Sequence, residues 1–223
     1  MIKQAMNKKR VIFGLVSAAA LALFVQAGPV FASPVTINVD QVFTGATPDG
    51  SPPWLVATFN QTGSNTGTLT LTSHLSGSDF LQGLNSSGGT VGWAFYLNQT
   101  VSAMSCTLGT CANSNSGFDA GGFNTGPVGD IFNLGFGWGP SGRFQAGDSA
   151  VYDLTFASAL SGNPFVPNGD GWVSVAHVQG IGTRDDSGWI VAGPSVPEPA
   201  GLGMFGLGTL LVGLFVGLRR QMH

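Results

Sequence analysis

Between residues 33 and 195 the chain is built from short segments in which apolar and polar residues alternate. Val35-Thr36-Ile37-Asn38-Val39-Asp40 alternates, and so does Thr68-Leu69-Thr70-Leu71-Thr72. Val91, Trp93, Phe95 and Leu97 share one face of residues 91–97, and Tyr152, Leu154 and Phe156 share one face of residues 151–156. Residues 54–59 and 172–178 are further strand candidates. A period of two puts neighbouring side chains on opposite faces of an extended backbone, so one face is buried while the other is solvated. Turn formers separate the segments: Pro48-Asp49-Gly50, Thr62-Gly63, Ser87-Gly88-Gly89 and Asn168-Gly169-Asp170-Gly171. Seven or eight such strands predict an all-β domain, an antiparallel β-sandwich of jelly-roll type, with a β-barrel as the alternative. The glycine-rich stretch 113–139, with Phe118, Phe123, Phe132, Phe136 and Trp138, reads as long loops whose aromatics tuck into the core.

Composition supports this reading. Residues 33–195 contain no Lys and no Glu, and long runs of helix formers are missing. Aromatic and β-branched residues are plentiful, which argues against disorder. The segment is long enough for one domain with a sizeable core. Its only cations are Arg143 and Arg184 against ten Asp, a formal balance of −8 that the whole-chain value of −3 hides. So acidic a domain argues against nucleic acid as a partner, because binding there depends on neutralising phosphates.

The two ends differ from the middle. Lys3, Lys8, Lys9 and Arg10 precede an apolar run over residues 11–25, and small residues follow. This is the order of a secretory signal peptide, residues 1–32, with cleavage after Ala32 in Val30-Phe31-Ala32. Val25-Gln26-Ala27 offers an alternative cleavage site. At the other end, Val196-Pro197-Glu198-Pro199 precedes the uncharged, Leu/Gly-rich residues 200–218, and Arg219-Arg220-Gln221-Met222-His223 follows. Nineteen such residues can cross a hydrocarbon core about 30 Å thick. The basic pair on the far side obeys the positive-inside rule. Both ends predict one topology: residues 33–195 outside, the tail inside.

The tail, residues 196–223, resembles the PEP-CTERM sorting signal of Gram-negative bacteria, on Val196, Pro197, Glu198 and Pro199, the apolar span and the pair Arg219 and Arg220. The resemblance covers about a tenth of the chain. It implies processing near the motif by exosortase, a membrane-embedded cysteine transpeptidase-like enzyme. It also implies association with exopolysaccharide and biofilm, and a final place at the cell surface or in the extracellular matrix. The physics is compatible: two prolines resist helix, leaving the motif extended beside the bilayer. Pro53-Trp54-Leu55-Val56-Ala57-Thr58-Phe59 and Ala176-His177-Val178-Gln179-Gly180 resemble a recurrent, uncharacterised ectodomain of such proteins, which implies no activity.

Candidate chemistry in the middle is sparse. Cys106 and Cys111 are the only cysteines, and in an oxidising compartment they are expected to form a short-loop disulfide. His74 and His177 are the only histidines there. His177 lies in phase with Val173 and Val175, which suits a packed strand residue better than a base. Gly-x-Ser-x-Gly and His-Glu-x-x-His patterns are missing. A glycosidase would have to use two Asp, since Glu198 is the only Glu. Most Asp sit in turn contexts, which their side chains stabilise. No cofactor is expected; if Ca²⁺ binds, Asn168, Asp170, Asp185 and Asp186 are the candidate oxygen ligands, though they form no EF-hand pattern. Trp54, Trp93, Trp138, Trp172 and Trp189 are read first as core and second as a sugar-stacking platform. Asn60, Asn85 and Asn98 begin Asn-x-Thr/Ser triplets, read as coincidence in a Gram-negative cell. The expected function is a non-enzymatic surface or matrix protein linked to extracellular polysaccharide. A carbohydrate-binding module is the alternative, ahead of a secreted hydrolase.

Overall fold

The computed structural model describes residues 33–83, 91–123, 125–129 and 131–194. In chain order the strands are β1 (Val35–Val39), β2 (Gln41–Gly45), β3 (Leu55–Gln61), β4 (Thr66–Ser73), β5 (Phe80–Leu81), β6 (Trp93–Phe95) and β7 (Val101–Gly109). They continue with β8 (Ser114–Phe118), β9 (Leu134–Gly137), β10 (Phe144–Gln145), β11 (Ser149–Phe156), β12 (Ser174–Ile181) and β13 (Asp186–Ala192). They form two antiparallel sheets. The first runs β1-β3-β4-β11-β7. In the second, β12 is central: β13 and then β2 lie on one side, and β6 and β5 share the other. β6 leads on to β9 and β8, and β5 leads to β10. The chain crosses between sheets at Asp40, so β1 and β2 border different sheets.

Alternation explains which residues turn inward. Val35, Ile37 and Val39 of β1 are buried, as are Leu69 and Leu71 of β4 and Tyr152, Leu154 and Phe156 of β11. These meet Trp93, Phe95, Phe136, Ala176, Val178 and Ile190 of the second sheet in one core. Aromatic rings close the gap between the sheets. Phe136 of β9 lies 4.7 Å from Tyr152 of β11, and Phe165 touches Phe59 at 5.2 Å and Phe95 at 5.6 Å. Trp138 stacks on Phe144 at 4.5 Å. Each such side chain contributes about 1.5–3 kcal/mol on burial, so this aromatic layer is a large share of what holds the sheets together.

Three expectations change. Residues 113–139 are not all loop: β8 and β9 lie within them, and β9 carries Leu134 and Phe136 into the core. Leu134-Gly135-Phe136-Gly137 alternates large and absent side chains, so a neighbouring ring can lie flat on the glycine positions. The Phe123 ring stands 2.9 Å from where a Cβ on Gly135 would be. The strand count is also higher than seven or eight, because β2, β5, β8, β9 and β10 are too short or glycine-rich to show a period. Residues 91–97 give only the three-residue β6, buried on both faces. Among the described residues no helix is long and apolar enough to cross a membrane. The expected signal peptide and the apolar span 200–218 lie outside them.

Candidate functional site

Sheet two has a second apolar face. Along β12 and β13, Ala176, Val178, Ile190 and Ala192 point into the main core. The intervening Val175, Trp189 and Val191 join Val91, Ala94, Val128 and Phe132 in a separate cluster. Strand alternation places that cluster on the opposite face of the sheet. A 3-10 turn at Gly126–Val128 brings Val128 onto it. Tyr96, Phe123 and Trp172 rim the cluster and are only partly buried. Phe43 of the border strand β2 is 40 % exposed and meets Trp172 edge to face, with centroids 6.3 Å apart. Val42 beside it is exposed too.

Asn168 builds the turn that presents Trp172. Its Oδ1 accepts from the backbone N–H of Asp170 at 3.2 Å and of Trp172 at 2.9 Å, while its own N–H donates to the Trp172 carbonyl at 2.9 Å. The side-chain oxygen expected to serve a cation therefore already has two donors. Asp170, Asp185 and Asp186 are exposed. Asp185 occupies the left-handed region at φ 58° in the turn joining β12 to β13. Among the described residues no group of three or more His, Cys, Asp or Glu is gathered for a metal ion.

Four tryptophans are core residues: Trp54, Trp93, Trp138 and Trp189 are no more than 9 % exposed. Trp172 alone of the five is only partly buried, so the tryptophans make no flat platform. His177 stacks on Trp189 at 4.5 Å with the rings 13° from parallel, and its backbone N–H donates to Gly92 O at 2.9 Å. Burial pushes its pKa below the ordinary histidine value. His74 is exposed, far from the profile of a catalytic base held in a cleft. Asn60 and Asn98 are exposed as well.

Cys106 and Cys111 form the expected disulfide. It closes the end of β7 over Trp138 and Tyr152. Trp138 Nε1 donates to the Thr110 carbonyl at 2.9 Å, and the Ala112 N–H donates to the Tyr152 hydroxyl at 2.6 Å. Burial, opposed by that hydrogen bond, raises the Tyr152 pKa. Ala32 and the sorting residues Val196, Pro197, Glu198, Pro199, Arg219 and Arg220 lie outside the described residues.

Sequence reasoning passed over Phe43, which sits in no long alternating run, and Tyr96, which falls on the other face of residues 91–97 from the one read as buried. It also passed over Asp49 and Asp79, which the fold brings together: the Asp49 N–H donates to Asp79 Oδ2 at 2.7 Å, across thirty positions of sequence. The chain matches no family model, no curated protein and no solved structure.

Proposed function

We propose that this chain is an exported surface or matrix protein, sorted through its tail by an exosortase-type enzyme and contributing without catalysis to an exopolysaccharide layer. The observation that carries the reading is the order of parts. β13 ends the described domain at Ala192, and Val196-Pro197-Glu198-Pro199 follows almost at once, ahead of the apolar stretch and the Arg219-Arg220 pair. In sequence, the tail therefore starts where the described domain stops. The Cys106–Cys111 disulfide supports residence in an oxidising compartment. In this reading the two sheets form a jelly-roll β-sandwich, residues 1–32 are removed on export, and residues 200–218 hold the membrane until processing.

The test is the intact mass of the protein recovered from envelope and medium of its native host, with and without the exosortase. A product ending near Pro197 only when the enzyme is present supports the reading. A product that keeps Leu218 and Arg219 in both strains defeats it.

A second reading, a carbohydrate-binding module, is favoured by the partly exposed Trp172 beside Phe43. Aromatic rings that keep one edge wet suit stacking on a sugar. The acidity of the domain points to a neutral glycan. Electrophoresis through gels containing neutral polysaccharide decides it. Wild type should be retarded and Trp172→Ala should not; equal mobility with and without polysaccharide removes this reading.

A further inference from the structure

Two loops at one end of the sheets hold an oxygen cluster that has no role in the fold's hydrophobic plan. The first, residues 46–54, links β2 to β3; the second, residues 74–79, links β4 to β5. Asp79 on the second loop is 1 % exposed. Its Oδ2 accepts the Asp49 N–H, but its Oδ1 is buried with no hydrogen-bond partner. A buried carboxylate oxygen left this way is costly unless a proton or a cation neutralises it.

The surroundings favour a cation. The Asp49 carboxylate lies against the second loop, with its Oδ2 2.9 Å from where a Cβ on Gly77 would stand. Ser76 Oγ lies 2.9 Å from the corresponding point on Gly50. Gly50 and Gly77 have φ of +86° and +64°, a conformation that favours glycine, and any side chain on either would fill the cradle between the loops. The two loops thus bring Asp49, Asp79 and the Ser76 hydroxyl, all hard oxygen donors, alongside one another.

We propose that Asp49 and Asp79, with Ser76, hold a Ca²⁺ ion that clips loop 46–54 to loop 74–79. Two carboxylates and neutral oxygens suit the weak end of Ca²⁺ affinity, about 10⁻⁴–10⁻³ M, the range of extracellular modules. The ion stabilises the domain by mass action and cancels two of its ten negative charges. This site is separate from Asn168, Asp170, Asp185 and Asp186, and does not depend on the sorting reading.

The experiment uses the full-length chain in detergent, stripped with a chelator and then titrated with calcium chloride. Thermal melting and titration calorimetry are the readouts. For wild type, about 5 mM Ca²⁺ should raise Tm by about 3–5 °C, and calorimetry should show one site in the range above. Asp79→Asn should lose both signals. Asp49→Asn, at an exposed position, should also lose the signals, and it decides the matter if Asp79→Asn fails to give a β-sheet circular dichroism spectrum. Asp186→Asn should keep them. The proposal is overturned if wild type shows no shift and no heat, if the shift survives in Asp79→Asn or Asp49→Asn, or if it disappears in Asp186→Asn.

Discussion

The indole N–H of Trp93 donates to Ser174 Oγ at 2.7 Å, and the same hydroxyl donates to the Ala94 carbonyl at 2.9 Å. Trp93 and Ser174 are both fully buried, on adjacent strands β6 and β12. One small polar side chain thus satisfies a buried indole in the middle of an apolar layer. Ser174→Ala leaves the Trp93 N–H unpaired, at an expected loss of about 1–3 kcal/mol. Urea unfolding with matched m-values measures it; an unchanged midpoint refutes it.

The disulfide closes a loop with a sequence separation of five, so its effect on the unfolded chain is small for a disulfide, about 2 kcal/mol. The Tyr152 and Trp138 hydrogen bonds hold the same loop in the folded state. Cys106→Ser with Cys111→Ser should therefore lower stability by about that amount while leaving a cooperative transition. The check is denaturant unfolding of the double variant, with reduced wild type expected to match it.

His177 gives the stability a pH dependence. Its pKa in the folded state is pushed below the ordinary value of 6.5 by burial. The unfolded chain therefore takes up the proton first as pH falls. Stability contributed by neutral His177 is full above 6.5 and is lost as pH drops through 6.5 toward the folded value. Melting temperature should decline from pH 7 to pH 5, and the slope should flatten in His177→Gln. An equal slope in both proteins would assign the decline to other groups.

Gly188 lies where β13 passes the residue after β2. A Cβ there would run into the Ala46 carbonyl oxygen, which is backbone and cannot step aside. Gly188→Ala should cost about 1–3 kcal/mol and loosen β2, since β13 is the only partner of that strand among the described residues. Faster amide exchange at Val42 and Thr44 would show the local loosening. Unchanged exchange and stability would mean the strands have room that the geometry denies.

The inward faces of β1, β4 and β11 could be read directly, because alternation of Ile37, Leu71 or Leu154 with polar neighbours is a local property of a strand. The border strand β2 could not, since all five of its residues are exposed and its place comes from pairing with β13. Tryptophan identity said core or platform; only packing showed that Trp172 differs from the other four. The candidate oxygen ligands read from turns were nearest neighbours in sequence. Asp49 and Asp79 escaped notice because thirty residues separate them and each alone looks like an ordinary turn aspartate.

By itself the sequence determined the all-β class, the inward residues of β1, β4 and β11, the cysteine pair and the segregation of charge and apolar length at the two ends. Each follows from local periodicity or composition. The tertiary structure decided which strands pair, that β1 and β2 part into different sheets at Asp40, and that residues 113–139 contribute β8 and β9. It also decided that Asp79 is buried. The physical reason is that strand pairing and burial depend on groups far apart in the chain. A register is chosen by the total apolar area that two sheets hide together, and no short window of residues contains that sum.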